Sequence, residues 1–277
     1  MSRNVCELWR LDGRVAIITG GAGLLGEMHG EAIAEAGGVP ILIDIRGDAA
    51  AVKAKRLAER YAVPAMGLQA DVTDPASLRQ VVHETVGRLG RLDVLINNAA
   101  NDPKVKAEKP VAWARFENFP LNQWTEDLAV GLTGAFLCCQ MMGSQMAKQG
   151  SGSIINISSE LGLIAPDQRL YTQPGLPEDK QPVKPVSYSV VKHALIGLTR
   201  YLATYWADRN VRVNALAPGG VRNEQPDEFV RRLSSLIPMG RMAAKDEYKG
   251  AIVFLASDAS SYMTGTTLVM DGGRTCW

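Results

Sequence analysis

The 277-residue chain has almost no net charge: 30 lysines and arginines against 29 acidic residues leave +1 at neutral pH and a pI of about 7.7. Its basic residues are scattered without a run of one sign, so the electrostatic footprint of a nucleic-acid binder is missing. Four cysteines occur, Cys6, Cys138, Cys139 and Cys276, and they form neither a metal-ligand spacing nor a disulfide framework. Cys138 and Cys139 are adjacent in an apolar run and read as small core hydrophobes. Reduced thiols fit a cytoplasmic setting. The three histidines, His29, His83 and His193, stand too far apart to share a ligand set, so no metal is expected. No apolar run approaches the roughly 20 residues of a membrane span, and the first residues carry no signal-peptide core, so no membrane partner is expected either.

What the chain does have is alternation. From Arg14 onward, short apolar runs alternate with amphipathic stretches, the pattern of a doubly wound, Rossmann-type α/β fold: a parallel sheet with helices on both faces. Expected strands are Val15–Ile18, Ile41–Ile43, Met66–Ala70, Leu92–Ile96, Ser153–Ile157, Val211–Ala215 and Thr267–Met270. Expected helices include Glu27–Ala36, stopped by Gly37-Gly38, then Ala49–Tyr61, and one ending at Leu89 with Asp74 as N-cap and Pro75 in its first turn. No repeat or linker divides the chain, so residues 1–277 read as one domain with loop insertions near 101–120 and 163–186. The first excursion holds Lys104, Lys106, Lys109 and Arg115. The second holds Pro174, Pro177, Pro182 and Pro185. Connections this long in a compact domain are usually functional.

Two motifs carry chemistry. Thr19-Gly20-Gly21-Ala22-Gly23-Leu24-Leu25-Gly26 follows the first buried strand and opens a helix, where backbone N–H groups and the helix N-terminus suit a pyrophosphate. Asp44 closes the second strand eighteen residues after Gly26, close to the separation of about 20 expected for a carboxylate on a ribose diol. A carboxylate there repels a 2′-phosphate and favours NAD over NADP, with Arg46 two residues on as a possible offset. The second motif is Tyr188 with Lys192. On a helix, four residues put the phenol and the ammonium on one face. A nearby positive charge favours the phenolate and makes a group with a pKa of about 10 usable for proton transfer.

In chain order these residues, with Asp71-Val72, Asn97-Asn98-Ala99-Ala100, Ile157-Ser158-Ser159 and Pro218-Gly219, resemble the short-chain dehydrogenase/reductase family from Leu11 to Gly273. The resemblance implies about seven parallel strands, a nicotinamide cofactor, and hydride transfer between that cofactor and a secondary alcohol or ketone. It implies that Ser159, rather than Ser158, hydrogen-bonds the reacting oxygen, that Tyr188 is the acid/base, and that Lys192 lowers the tyrosine pKa and holds the nicotinamide ribose. Ser159 and Tyr188 are then also the substrate contacts. Gly20, Gly23, Leu24, Leu25, Gly26 and Asp44 join the cofactor site, with Asp71 and Val72 at the adenine. Asn97, Asn98 and Ala99 line the end of the fourth strand, and Pro218, Gly219 and Val221 reach the carboxamide. It also implies a homodimer or homotetramer paired through residues 121–148, 186–207 and 266–270.

Four positions depart from the family pattern: Leu24 replaces a glycine, Ala100 a glycine, Asn223 a threonine, and Gly131 the asparagine that helps hold a water of the proton relay. Glycine leaves space in which an extra water can partly replace that amide. The 29-residue separation of Ser159 from Tyr188 is far longer than is usual in the family. Arg115, Lys104 and Arg169 are candidate contacts for an anionic or hydroxylated substrate. The combination is similar to reductases of bacterial surface-sugar biosynthesis. The expected activity is therefore an NAD-preferring oxidoreductase of a polar, sugar-derived substrate. The rival reading is a catalytically silent dinucleotide sensor or assembly subunit. A sugar-nucleotide epimerase or dehydratase would be expected to continue beyond Asp271-Gly272-Gly273.

Overall fold

A computed structural model describes residues 4–101 and 111–277. Its centre is a seven-stranded parallel sheet in the order β3-β2-β1-β4-β5-β6-β7. The strands are β1 (Val15–Thr19), β2 (Val39–Asp44), β3 (Met66–Gln69), β4 (Val94–Asn97), β5 (Gly152–Ile157), β6 (Val211–Pro218) and β7 (Thr267–Met270). The apolar runs form strands because both faces are covered, as a parallel sheet requires. In β1, Val15 and Ile17 join one core, while Ala16 and Ile18 join the other. Complete burial of Val15, Ile17 or Ile18 stabilises the fold by about 1.5–3 kcal/mol each.

Helices α1 (Val5–Leu8), α2 (Leu24–Glu35), α3 (Gly47–Tyr61) and α4 (Pro75–Leu89) precede a segmented stretch. Asp74 caps α4 by accepting from the N–H groups of Ala76 and Ser77, and Gly37 adopts φ +86° after α2. The stretch 121–149 is not one regular helix: α5 (Leu121–Leu128), α6 (Gly134–Cys138) and α7 (Ser144–Gln149) are separated by π-helical turns at Ala129–Thr133 and Cys139–Gly143. Both turns lie where the backbone comes very close to a neighbour. A Cβ on Gly131 would stand 2.7 Å from Val191, and one on Gly143 2.5 Å from Trp206. Helices α8 (Val186–Tyr205), α9 (Asp227–Ser235) and α10 (Lys249–Ala256) complete the set.

β6 runs three residues beyond its expected end because β7 pairs with it through Pro218 and Met270. Cys138 and Cys139 are fully buried, and burial raises both thiols, Cys139 to about 12, so they act as core side chains. Among the described residues no helix is long and apolar enough to cross a membrane, and no cluster of ligating side chains could hold a metal ion.

Candidate active site

The strand order reverses between β1 and β4, and the carboxyl ends of strands at such a reversal are where open α/β sheets bind ligands. The glycine-rich turn lies on one side. Gly20 takes φ +62°, and a Cβ on Gly26 would stand 2.1 Å from the Gly20 carbonyl oxygen, so the helix begins in contact with the turn. Leu24 does not adopt a positive φ and its side chain is 40% exposed, which explains how a leucine replaces glycine without strain. Thr19 Oγ1 accepts from the N–H groups of Asn98 and Ala99, both at 2.9 Å, and the Asn98 amide donates back to the carbonyls of Thr19 (3.0 Å) and Gly20 (3.3 Å). Asn98 thus braces the turn against β4. The turn and helix N-terminus could cradle a dinucleotide diphosphate, since a short backbone approach and unpaired helix N–H groups are what that group needs. Substituting Gly26 with alanine is expected to cost roughly 1–3 kcal/mol and to weaken dinucleotide binding, measured by chemical denaturation and cofactor titration; unchanged values would exclude the close contact.

Asp44 ends β2 at 8% exposure. Its Oδ2 accepts from the Ala22 N–H at 3.0 Å, and its Oδ1 from the Arg46 N–H at 3.0 Å and from Arg46 Nε at 3.3 Å, so the carboxylate staples the turn. Of its roughly four acceptor sites one remains for a diol. Asp71 is exposed, its Oδ1 taken by the N–H and hydroxyl of Thr73, while Val72 is buried against Gly134.

On the other side stand β5, α8 and the loop after β6. Ser158 donates its hydroxyl to the Lys192 carbonyl at 2.7 Å and is committed to packing. Ser159 is extended and accepts from the Leu161 N–H at 3.1 Å, which leaves its own O–H to donate. Lys192 is 5% exposed and its Nζ donates to the Ile157 carbonyl at 2.8 Å, which fixes the ammonium 5.7 Å from the centre of the Tyr188 ring. Lys192 and Tyr188 therefore stand at the end of β5, where Ser159 follows Ile157 by two residues. Pro218 to Val221 lies beside them. Gly219 donates to the Met270 carbonyl at 2.8 Å and accepts from the Tyr248 hydroxyl at 3.0 Å, and Val221 pairs with Ala243.

Three sequence expectations change. The space beside Gly131 is filled by Val191, so it offers no room for a water in place of an amide. Arg169 is paired with its neighbour Asp167 (2.9 and 2.7 Å), and Arg115 donates to the Glu178 carbonyl at 2.8 Å with Glu117 at 3.6 Å, so both have partners within the loops. Lys104 lies outside the described residues. The second excursion folds into short 3₁₀ turns at Gln168–Tyr171 and Glu178–Lys180, closed by the Gln181 side chain on Gln173 and Leu176. It leans on α9: Tyr171 packs on Phe229 with ring centres 5.6 Å apart, and Arg232 donates to the Thr172 carbonyl at 2.7 Å.

Sequence reading passed over three polar groups at the site. Glu160, next to Ser159, is 7% exposed with Oε2 unpaired among the described residues. Burial pushes its carboxyl up to about 7, opposed by Arg274 and by a backbone hydrogen bond from Gly220, and reinforced by Asp271. Asn156 links Asn97 to Thr199 through bonds of 2.8 and 2.9 Å. Lys184 stands over the Tyr188 ring, its Nζ 3.7 Å from the centre. Its spacing was visible as Lys184-x-x-x-Tyr188-x-x-x-Lys192, but position 184 precedes the helix, where four-residue periodicity says nothing about a shared face.

Comparison with known proteins identifies the family. Residues 14–172 match the family model for short chain dehydrogenase, and residues 179–275 match the model for enoyl-(acyl carrier protein) reductase. D-threitol dehydrogenase of Mycolicibacterium smegmatis is 34% identical over 272 residues, covering 96% of this chain and 95% of that protein. NAD-dependent glycerol dehydrogenase of Listeria innocua is 31% identical over 267 residues, covering 95% and 94%. The crystal structure of a gluconate 5-dehydrogenase from Burkholderia cenocepacia, in complex with NADP and tartrate, superposes with a TM-score of 0.85 at 30% identity, covering 99% of this chain and 100% of that one. The chain belongs to the short-chain dehydrogenase/reductase family.

Proposed function

We propose that this enzyme interconverts a secondary alcohol and a ketone on a polyol or sugar acid, with NAD preferred over NADP. The observation that carries the reading is the Tyr188–Lys192 pair held on the Ile157 carbonyl at the carboxyl end of β5, two residues before Ser159. A nicotinamide dinucleotide, when bound, supplies the hydride acceptor or donor. The rest is the protein's work. Ser159 donates a hydrogen bond to the substrate oxygen and holds it at the phenol. In oxidation, the Tyr188 phenolate takes the hydroxyl proton as hydride leaves the same carbon; in reduction, the phenol returns it. Lys192, anchored on the Ile157 carbonyl, keeps positive charge below the ring in both directions and so favours the phenolate.

The substrate class rests on relatives named for threitol, glycerol and gluconate, and those names point to free polyols and sugar acids rather than to surface-sugar intermediates. The cofactor preference rests on Asp44, whose charge opposes a 2′-phosphate; the exposed Arg46 beside it weakens the selection. Pairing into a homo-oligomer is proposed on the exposed Phe136, Tyr201, Tyr205 and Val269 of the three expected segments. The direct test screens purified protein with NAD and NADP against threitol, glycerol, mannitol and gluconate, following reduced-cofactor absorbance. No turnover of any of these four would remove the polyol and sugar-acid reading. Replacing Asp44 with asparagine keeps the turn's hydrogen-bond acceptor and should shift the NAD/NADP ratio of kcat/KM toward NADP by roughly tenfold, the effect of about 1.4 kcal/mol. An unchanged ratio would show that another group selects the cofactor.

A further inference from the structure

Tyr188 has a lysine four residues before it and another four residues after it, and the two ammonium groups reach it by different routes. Lys192 comes from the next turn of α8, 5.7 Å from the ring centre. Lys184 comes from the end of the inserted segment and lies closer, 3.7 Å from the ring centre. Its place is fixed. The Lys184 N–H donates to Gln168 Oε1 at 2.8 Å, which ties it to the 3₁₀ turn of the insertion. Pro185 follows as the buried N-cap residue of α8, and its ring restricts Lys184 to extended backbone.

We infer that Lys184 is a positioning residue for proton transfer: seated on the face of the Tyr188 ring, its ammonium stabilises the phenolate and sets the pH at which the tyrosine acts as base. The inference rests on the reading of Tyr188 as the proton-transfer group. A cation over an aromatic face is attracted by the ring's negative quadrupole. Ionising the phenol adds a full negative charge to the same ring, so the attraction strengthens and the ionised form is favoured. Lys192 serves partly as a donor to Ile157, whereas Lys184 approaches from the loop. Two acidic groups also lie against α8 here. Asp127 on α5 accepts from the Ser187 hydroxyl, and Glu160 lies in the short turn 160–162 packed on α8. Both work against the phenolate when ionised, which gives a second cation a purpose. The insertion therefore contributes to the chemistry through one side chain, beyond any part in shaping the crevice.

The test is a pH titration of phenolate absorbance in the NAD-saturated full-length enzyme, with the Tyr188→Phe protein subtracted to isolate one tyrosine among seven. Lys184→Met should move the Tyr188 transition up by about one pH unit, a tenfold loss of phenolate at a given pH. Lys184→Arg, which keeps the charge, should stay within a few tenths of the parent. Lys184→Gln serves as a second neutral variant if the methionine protein does not fold. The same titrations with Glu160→Gln added separate that carboxyl from the lysine effect. Neutral variants that superpose on the parent, while the parent's Tyr188 titrates well below an ordinary tyrosine, overturn the role of Lys184 alone. A Tyr188 that titrates like an ordinary tyrosine in the parent overturns the underlying reading as well.

Discussion

Replacing Tyr188 with phenylalanine should lower kcat by about 10²–10⁴-fold, the usual worth of a positioned acid/base, while cofactor affinity stays within a factor of two or three. The substitution removes one oxygen and keeps the ring, so the contacts that hold the site survive: Lys192 remains on the Ile157 carbonyl and Ser158 on the Lys192 carbonyl. Ser159 can still orient a substrate oxygen, but no group then exchanges its proton as hydride moves. Initial rates with threitol or gluconate give the kinetic side, and quenching of tryptophan fluorescence by the dinucleotide gives binding. Retained binding with lost turnover identifies an enzyme; unchanged turnover would move the proton-transfer role to another group. A parent protein that binds dinucleotide but turns over nothing would favour the silent sensor, a reading kept alive by the valine-filled space at Gly131.

Substituting His29 with leucine should make the protein markedly more resistant to acid. His29 lies on α2 at 1% exposure. Burial lowers its imidazole from 6.5 to about 3, with the Asn98 amide opposing only weakly, and neither ring nitrogen makes a hydrogen bond of normal geometry. The native state therefore binds fewer protons here than the unfolded chain does. Stability is whole above about pH 6.5 and is lost as the pH falls toward about 3. The loss through this group is about 2 kcal/mol at pH 5 and about 4 kcal/mol near pH 3. Leucine has nearly the same volume and no proton to gain, and it also removes an unpaired buried polar group, worth about 1–3 kcal/mol. Urea unfolding at pH 7 and pH 5 should show a gap between the two proteins that widens by about 2 kcal/mol on acidification. Parallel stability curves would mean that the imidazole is already solvated.

The fold was legible because a covered parallel sheet writes itself as apolar runs. Val15–Ile18 and Ile41–Ile43 had no other reasonable conformation, and Asp74-Pro75 marked the start of α4 through simple capping chemistry. Glycines 131 and 143 were less transparent. Their meaning depends on Val191 and Trp206, which lie far along the chain, and local spacing carries no information about such approaches. The arginines were opaque for a related reason. Arg115 and Arg169 have the composition of an anion site, but an arginine declares a function only through its partner, and here the partners are a carbonyl of the other loop and a neighbouring aspartate. Asp44 was read as a ribose ligand, and the structure uses it as a turn staple, a role its sequence position did not announce. Lys184 was hidden by Pro185: beyond a helix end, sequence distance no longer measures spatial distance.

Two of the attachments of the inserted loop are guanidinium groups on backbone carbonyls, Arg115 on Glu178 and Arg232 on Thr172. Every residue type possesses that carbonyl. The Glu178 side chain can therefore be exchanged through mutation while Arg115 keeps its acceptor, whereas Thr172 also offers Arg232 its hydroxyl. In this chain, part of the insertion's attachment is indifferent to its own sequence and part is written in it.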